Sequence, residues 1–234
     1  MKSYIKRCLR GAYHLIPSWL QPLAYTLLSF VVCPAKLPRS LTYHLYVYKL
    51  SKAKFTGLHL GTGGARIKSF LNIDANPSVA SDVVAGIEKL KVDSCSVGII
   101  YTSHVFEHLP RARAQVVLAE WYRALKQGGA LYICVPDVET LFQIYLDNLP
   151  NYGVADARSV ADLACGVIYG GQTNKYDFHY FGYSFTTLKY MLENVGFQGV
   201  HRFDRASFEL FPKRDAAFAA ICDVPVSLNV VATK

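Results

Sequence analysis

The chain has 234 residues, of which 52% are apolar and 13% aromatic, and it contains no repeated or low-complexity tract. This length and composition predict one sizeable globular core and exclude disordered and solenoid proteins. The six cysteines form no CxxC pair, so neither a zinc ribbon nor a disulfide framework is expected. A reducing compartment, the cytoplasm, is the simplest setting.

The net charge of +8 is unevenly distributed along the chain. The first 73 residues carry eleven Lys and Arg and no acid, whereas the remainder carries 14 basic against 17 acidic side chains. The positive charge therefore belongs to an N-terminal arm, residues 1–54, and no nucleic-acid partner is expected. Two interpretations stay open: a solvated helical cap on the fold, or peripheral contact with an anionic membrane at its inner face.

The arm also raises the question of a membrane anchor, since no charged residue lies between Arg10 and Lys36. Pro17 and Pro22 interrupt this stretch and leave only Leu23–Cys33 as an unbroken, mostly apolar run. A membrane-spanning helix needs ~20 such residues. An amphipathic surface helix, or a helix packed on the domain, is therefore favoured over a transmembrane span.

The domain that follows, residues 55–234, alternates strand and helix patterns. Strands are predicted at 57–61, 70–74, 82–85, 97–102, 130–135, 199–204 and 226–233. Helices are predicted at 111–127, from 138, near 155–168 and from 185 to 195, the third of them inside an aromatic-rich insertion at 149–183. Alternation of this kind predicts a doubly wound, mostly parallel α/β sheet, which binds ligands at the carboxyl ends of its strands.

Capping residues mark several helix ends. Asp137 and Ser184 stand where they could cap the second and fourth helices, and Gly196 stands where it could end the fourth. The pair Gly128-Gly129 is predicted to end the first helix in the same way.

A glycine turn, Leu60–Gly64, directly follows the first predicted strand, and Asp74 ends the second. Glycines allow close approach to a bound group, and a carboxylate so placed can accept from both hydroxyls of a ribose. The dinucleotide-binding fingerprint requires a third glycine at the position where this chain has Arg66. It also requires an acid ~20 residues further on, and Asp74 comes earlier than that. The layout favours S-adenosylmethionine over NAD.

Several ordered segments resemble the class I methyltransferases of the type 11 group: LHLGTGG, FLNIDANP, SVGIIYTSHVFEHL, LKQGGALYICVPD and SLNVVATK. The aromatic segment YGGQTNKYDFHYFGYS is similar to a subset often associated with cell-envelope polysaccharide and glycoconjugate synthesis. The resemblance implies a Rossmann-like methyltransferase fold, S-adenosyl-L-methionine as cofactor and a small-molecule or glycan acceptor.

The resemblance also implies a set of cofactor contacts. Carried over by position, they are Gly61 and Gly63 at the methionine part, Asp74 at the ribose, Ile87 at the adenine, and Ser103 and His104 at the sulfonium. Two positions depart from the family pattern, because Gly86 stands where an acid usually accepts from the adenine amino group and Gly98 where Asp is usual. These departures keep open a non-catalytic member that acts as a membrane or partner adaptor.

His104–His108 spells H-x-x-E-H, the inverted zinc-peptidase motif, which requires both histidines on one helix face. Here the motif follows a buried strand and runs into Pro110, so we expect no metal site, and the peptidase remains a minor alternative.

His179, in the insertion, is either packed structure or a general base for a poorly acidic hydroxyl, and His104 is a second catalytic candidate. The sequence thus predicts O-methylation of a sugar-containing or lipid-linked envelope intermediate, or of another small molecule.

Overall fold

The computed structural model describes residues 55–152, 159–207 and 215–234. The N-terminal arm, with the predictions made for it, lies outside these residues. Nine strands are present in the described chain. They are β1 (Gly57–Leu60), β2 (Phe70–Asp74), β3 (Val83–Val84), β4 (Val97–Ser103), β5 (Leu125–Pro136), β6 (Gln198–Arg202), β7 (Ala220–Ile221), β8 (Val224–Pro225) and β9 (Ser227–Thr233).

Four α-helices accompany the strands in the same residues. They are α1 (Arg111–Ala124), α2 (Val138–Asn148), α3 (Val160–Tyr169) and α4 (Phe185–Val195). Short 3-10 turns occur at Phe106–His108, Leu149–Asn151, Arg205–Ser207 and Ala216–Phe218. No helix within the described residues is long and apolar enough to cross a membrane.

Seven strands form one sheet in the order β3-β2-β1-β4-β5-β9-β6, and β7 and β8 form a separate hairpin. Neighbours from β3 to β5 run parallel, whereas β9 is antiparallel to both β5 and β6. This confirms the predicted mostly parallel, Rossmann-like methyltransferase fold. The strand order reverses between β1 and β4, and open α/β sheets bind ligands at such a switch point.

The first half of the sheet is built without α-helices in its connections. Neither the β1–β2 connection, residues 61–69, nor the β3–β4 connection, residues 85–96, contains one, and both are fully described. Polar side chains organise the first connection instead. Asn72 on β2 accepts from the backbone N–H of Ile67 (2.8 Å), donates to the carbonyls of Ile67 and Phe70, and contacts His59 at 3.2 Å.

Helix α1 packs on the sheet through the apolar stripe that its sequence predicts. Ala114, Val117, Leu118 and Trp121 on this stripe are all buried. The helix ends at Ala124, however, so the prediction that Gly128-Gly129 ends it is wrong. The backbone N–H groups of Cys95 and Ser96 donate to the carbonyls of Arg123 and Ala124. The last turn is therefore satisfied by a neighbouring loop.

The residues beyond this helix end extend β5 at its start. Leu125 already pairs with β4, and β5 covers Leu125–Pro136 where the sequence predicts only 130–135. Gly128 has a φ of +74° and lies in the irregular first part of the strand, between the residues that pair with Val97 and Ile99.

The other predicted caps have different outcomes. Ser184 accepts from the backbone N–H of Thr187 and forms a full capping box, and Gly196 ends α4 in the left-handed conformation, as predicted. Asp137 occupies the first position before α2 but makes no capping hydrogen bond. Its carboxylate instead accepts from Arg202 on β6 at 3.1 Å.

Candidate active site

The glycine turn leaves β1 at the switch point and is held by Asp74. Gly61 and Gly63 have φ angles of +71° and +51°, which glycine adopts without strain. The backbone N–H of Gly63 donates to Oδ2 of Asp74 at 3.0 Å, and that of Asn76 donates to Oδ1 at 2.8 Å. A side chain at position 61 would lie 2.2 Å from Cγ2 of Val105, so the turn packs directly against the β4 connection.

A cavity of about 670 Å³ opens at this edge of the sheet. The structure brings all six predicted cofactor residues to its wall, and these are Gly61, Gly63, Asp74, Ile87, Ser103 and His104. Their individual contacts with S-adenosylmethionine stay predictions. The insertion supplies the wall segment 174–178, so it faces the cavity.

The predicted adenine end is built around Ile87. Its side chain is buried, and its carbonyl accepts from the indole N–H of Trp121 at 3.0 Å, which fixes the chain after β3. Glu88 also lines the cavity, and its carboxylate reaches over Gly86. Gly98, the second departure from the family pattern, is not among the cavity-lining residues.

His104 leaves β4 with a φ of +51°, a conformation that non-glycine residues seldom adopt and that is enriched at functional sites. Its Nε2 contacts Oγ of Ser227 at 2.9 Å, and its Nδ1 lies 3.5 Å from Oε1 of Glu107. Burial lowers the pKa of His104 to about 3, and the nearby His179 and His108 act in the same direction. His104 is therefore neutral at physiological pH.

The conformation of residues 104–108 contradicts the zinc-peptidase alternative. His104 precedes a single 3-10 turn, Phe106–His108, and no α-helix carries the H-x-x-E-H motif. The two histidines therefore do not share a helix face, which the peptidase mechanism needs.

Glu107 is the most unusual side chain of the site. It is 1% exposed, and neither carboxylate oxygen has a hydrogen-bond partner among the described residues. Burial raises the pKa of Glu107 to about 8. A buried carboxylate without partners is costly, and such groups concentrate at functional sites.

His179 is not among the residues that line the cavity. Its Nε2 is 3.9 Å from Oε1 of Glu107, and its ring packs edge-on against His108 with centroids 4.6 Å apart. Burial lowers the pKa of His179. His108, unlike His179, lines the cavity.

Glu107 and His108 were not predicted as site residues. The H-x-x-E-H motif contains both, but the sequence does not reveal that His179 packs against them.

Comparison with known protein families identifies one domain in this chain. Residues 46–133 match the family model of a methyltransferase domain. The match confirms the predicted methyltransferase activity and the cofactor, S-adenosylmethionine. No curated protein matches the chain.

Solved structures similar to the chain include two S-adenosylmethionine-dependent methyltransferases. The one from Archaeoglobus fulgidus is 18% identical, with 84% of this chain and 95% of that chain covered and a TM-score of 0.46. The one from Mesorhizobium loti is 16% identical, with 78% and 92% covered and a TM-score of 0.46.

Proposed function

We propose that this class I S-adenosylmethionine-dependent methyltransferase transfers its methyl group to a hydroxyl oxygen of a sugar-containing or lipid-linked cell-envelope intermediate. The observation that carries the proposal is the composition of the cavity wall that the insertion supplies. Asn174, Lys175 and Asp177 supply polar groups there, and Tyr176 and Phe178 supply aromatic rings. Polar groups beside aromatic faces suit a ring-shaped acceptor rich in hydroxyls.

The chemistry asks little of the protein beyond position. The sulfonium is a good leaving group, so holding the acceptor in line with it supplies most of the acceleration. A hydroxyl acceptor must also lose its proton, and histidine has a suitable pKa range for that step. A pKa of about 3 makes His104 too weak a base for that step, so half-buried His108, which also lines the cavity, is the residue that supports an oxygen acceptor.

The alternative of a non-catalytic adaptor rests on the missing acid at Gly86. Glu88 weakens that argument, because its carboxylate lines the cavity and overlies Gly86. The family match over residues 46–133 also favours the enzyme.

The proposed place of action is the cytoplasmic face of a membrane, reached through residues 1–54. The support is the charge distribution, since the first 73 residues carry eleven basic side chains and no acid. Such a segment is attracted to anionic lipid headgroups. The enzyme would then bind to the same membrane surface in which a lipid-linked acceptor is anchored.

Mass spectrometry of cell-envelope extracts, with and without the gene, tests the acceptor class. We expect one glycan or lipid-linked species to lose a single methyl group when the gene is deleted. Expression of the parent should restore the group, whereas an Asp74→Ala variant, deprived of the predicted ribose contact, should not. Envelope species that stay unchanged while a water-soluble metabolite loses the methyl group would refute the proposed acceptor.

A further inference from the structure

Glu107, His108 and His179 form a cluster whose potential ligand atoms all lie within 4.8 Å of one another. Two come from the turn after β4, and His179 comes from the insertion. The cluster is thus assembled by the fold from two distant segments. It also differs from the peptidase motif, because it replaces His104 with His179.

Glu107 brings two buried and unsatisfied oxygen atoms to the cluster. Its side chain is 1% exposed, and both oxygens lack a hydrogen-bond partner in the described residues. The neighbouring groups are imidazoles, at 3.5 Å (His104) and 3.9 Å (His179). A buried carboxylate normally has a paired cation or coordinates a metal.

His108 is oriented as metal-bound histidines usually are. Its Nδ1 lies 3.0 Å from the carbonyl oxygen of Phe178 and can donate to it. A hydrogen bond of this kind fixes the tautomer and leaves the lone pair of Nε2 free for an ion. The acceptor carbonyl directly precedes His179, so one backbone segment orients both histidines.

The spacing of the donors fits an ion after a small contraction. Ligand atoms 2.0–2.2 Å from a tetrahedral ion stand about 3.3–3.6 Å apart, so the longest separation need close by only about 1.5 Å. Two imidazoles and one carboxylate suit zinc, iron, manganese or cobalt rather than magnesium or calcium, which prefer oxygen donors.

We propose that Glu107, His108 and His179 bind one divalent transition-metal ion at the wall of the cofactor cavity. His108 lines that cavity, so the ion would have a coordination position open to it. If the proposed hydroxyl acceptor is correct, an oxygen bound there would lose its proton more readily, because a metal lowers the pKa of a bound hydroxyl. His108 and His179 would then act as ligands rather than as general bases.

Metal binding by the full-length protein tests this directly. The protein is stripped with a chelator and titrated calorimetrically with Zn²⁺ and with Co²⁺, and cobalt absorption reports the donor set. We expect one ion per chain. Glu107→Gln, His108→Ala and His179→Ala should each weaken binding by at least about 100-fold, because loss of even an outer partner of a ligand costs about 10- to 100-fold. His201→Ala, on exposed β6, is the matched control and should bind as the parent does.

Glu107→Gln keeps the proposal testable if a histidine variant fails to fold, because it preserves the shape of the side chain and removes the carboxylate that would bind the ion. Absence of binding, or parental affinity in Glu107→Gln, would overturn the metal site. The titration contains no acceptor, so its failure is separate from failure of the envelope experiment.

Discussion

The carboxylate of Glu88 occupies the space that a side chain at Gly86 would enter. A Cβ built on Gly86 would lie 2.6 Å from Oε2 of Glu88. The family that the sequence resembles usually has an acid at position 86, and in this chain a carboxylate from two residues on reaches the same space. Glu88 also lies 3.9 Å from Arg113 and lines the cavity, so it can face a ligand there.

Replacing Glu88 should therefore weaken cofactor binding. Glu88→Ala removes a charged hydrogen-bond acceptor worth about 1.5–3 kcal/mol, so S-adenosylhomocysteine should bind about 10- to 150-fold more weakly by calorimetry. The double variant Glu88→Ala/Gly86→Asp should recover most of the affinity. Glu193→Gln, on exposed α4, serves as control. Unchanged affinity in Glu88→Ala would remove Glu88 from the site.

Replacing Asp74 should weaken cofactor binding more than replacing Glu88 does, because Asp74 holds the glycine turn and also makes the predicted ribose contact. Asp74→Ala should lower S-adenosylhomocysteine affinity by a few kcal/mol, since it loses charge-assisted hydrogen bonds. Asp74→Asn should fall between parent and Ala, because one oxygen still accepts from Gly63 or Asn76. Asp147→Asn, an exposed change on α2, controls for charge. Parental binding by Asp74→Ala would mean that the site assignment is wrong.

The glycine turn should tolerate a methyl group at one position and not at another. Gly61→Ala combines left-handed strain of about 1–2 kcal/mol with a Cβ only 2.2 Å from Cγ2 of Val105, and this overpacking adds about 1–3 kcal/mol. Gly63→Ala meets no atom within 4 Å and should carry the strain alone.

Urea unfolding of the two glycine variants measures the difference. The double variant Gly61→Ala/Val105→Ala should recover part of the stability lost in Gly61→Ala. Equal losses in Gly61→Ala and Gly63→Ala would show that Val105 does not restrict the turn.

His59 should make the fold sensitive to mild acid. It is 1% exposed, and burial lowers its pKa below 6.5, against weaker opposing contributions from Asn72, Asp215 and Asp74. As the pH falls, His59 is therefore protonated at a higher pH in the unfolded chain than in the folded protein. His59 therefore does not lower the free energy of unfolding above about pH 6.5. Below that pH the free energy of unfolding decreases as the pH falls toward the folded pKa of His59, by at most about 1.4 kcal/mol per pH unit.

Urea unfolding of the parent and of His59→Gln at pH 7.5 and 5.5 checks this prediction. The parent should lose more stability between the two values than the variant does. Equal losses would show that the proton is taken up elsewhere.

The arm should bind anionic vesicles through its charge. Neutralising Lys2, Lys6, Arg7 and Arg10 with Gln should reduce co-sedimentation of the full-length protein and leave S-adenosylhomocysteine affinity unchanged. Added salt should act on the parent in the same way, because the Debye length falls to about 3 Å at 1 M. Binding that ignores both salt and the four substitutions would contradict a charge-driven membrane contact.

The local pattern of apolar and polar residues predicts the strands of this fold well. The predictions that fail are those that depend on contacts between segments distant in sequence. Asp74 was found because a carboxylate at the end of an apolar strand is visible in sequence. The end of α1 was missed because residues 95–96 supply its last hydrogen bonds from another segment. Likewise, nothing local to Glu107 or His108 indicates that His179 packs against them. Glu88 was missed because a pattern tied to position 86 does not register a carboxylate that reaches back over it.

The position of β9 in the sheet determines when the sheet can be completed during synthesis. β9 lies between β5 and β6 but follows both in sequence, so among the described strands β6 has no partner until residues 227–233 have left the ribosome. Until then β5 presents an open edge beside an unpaired β6. Exposed strand edges invite pairing with other chains. A nascent chain stalled before Ser227 would thus be prone to aggregate, although every residue of the cofactor turn is already made.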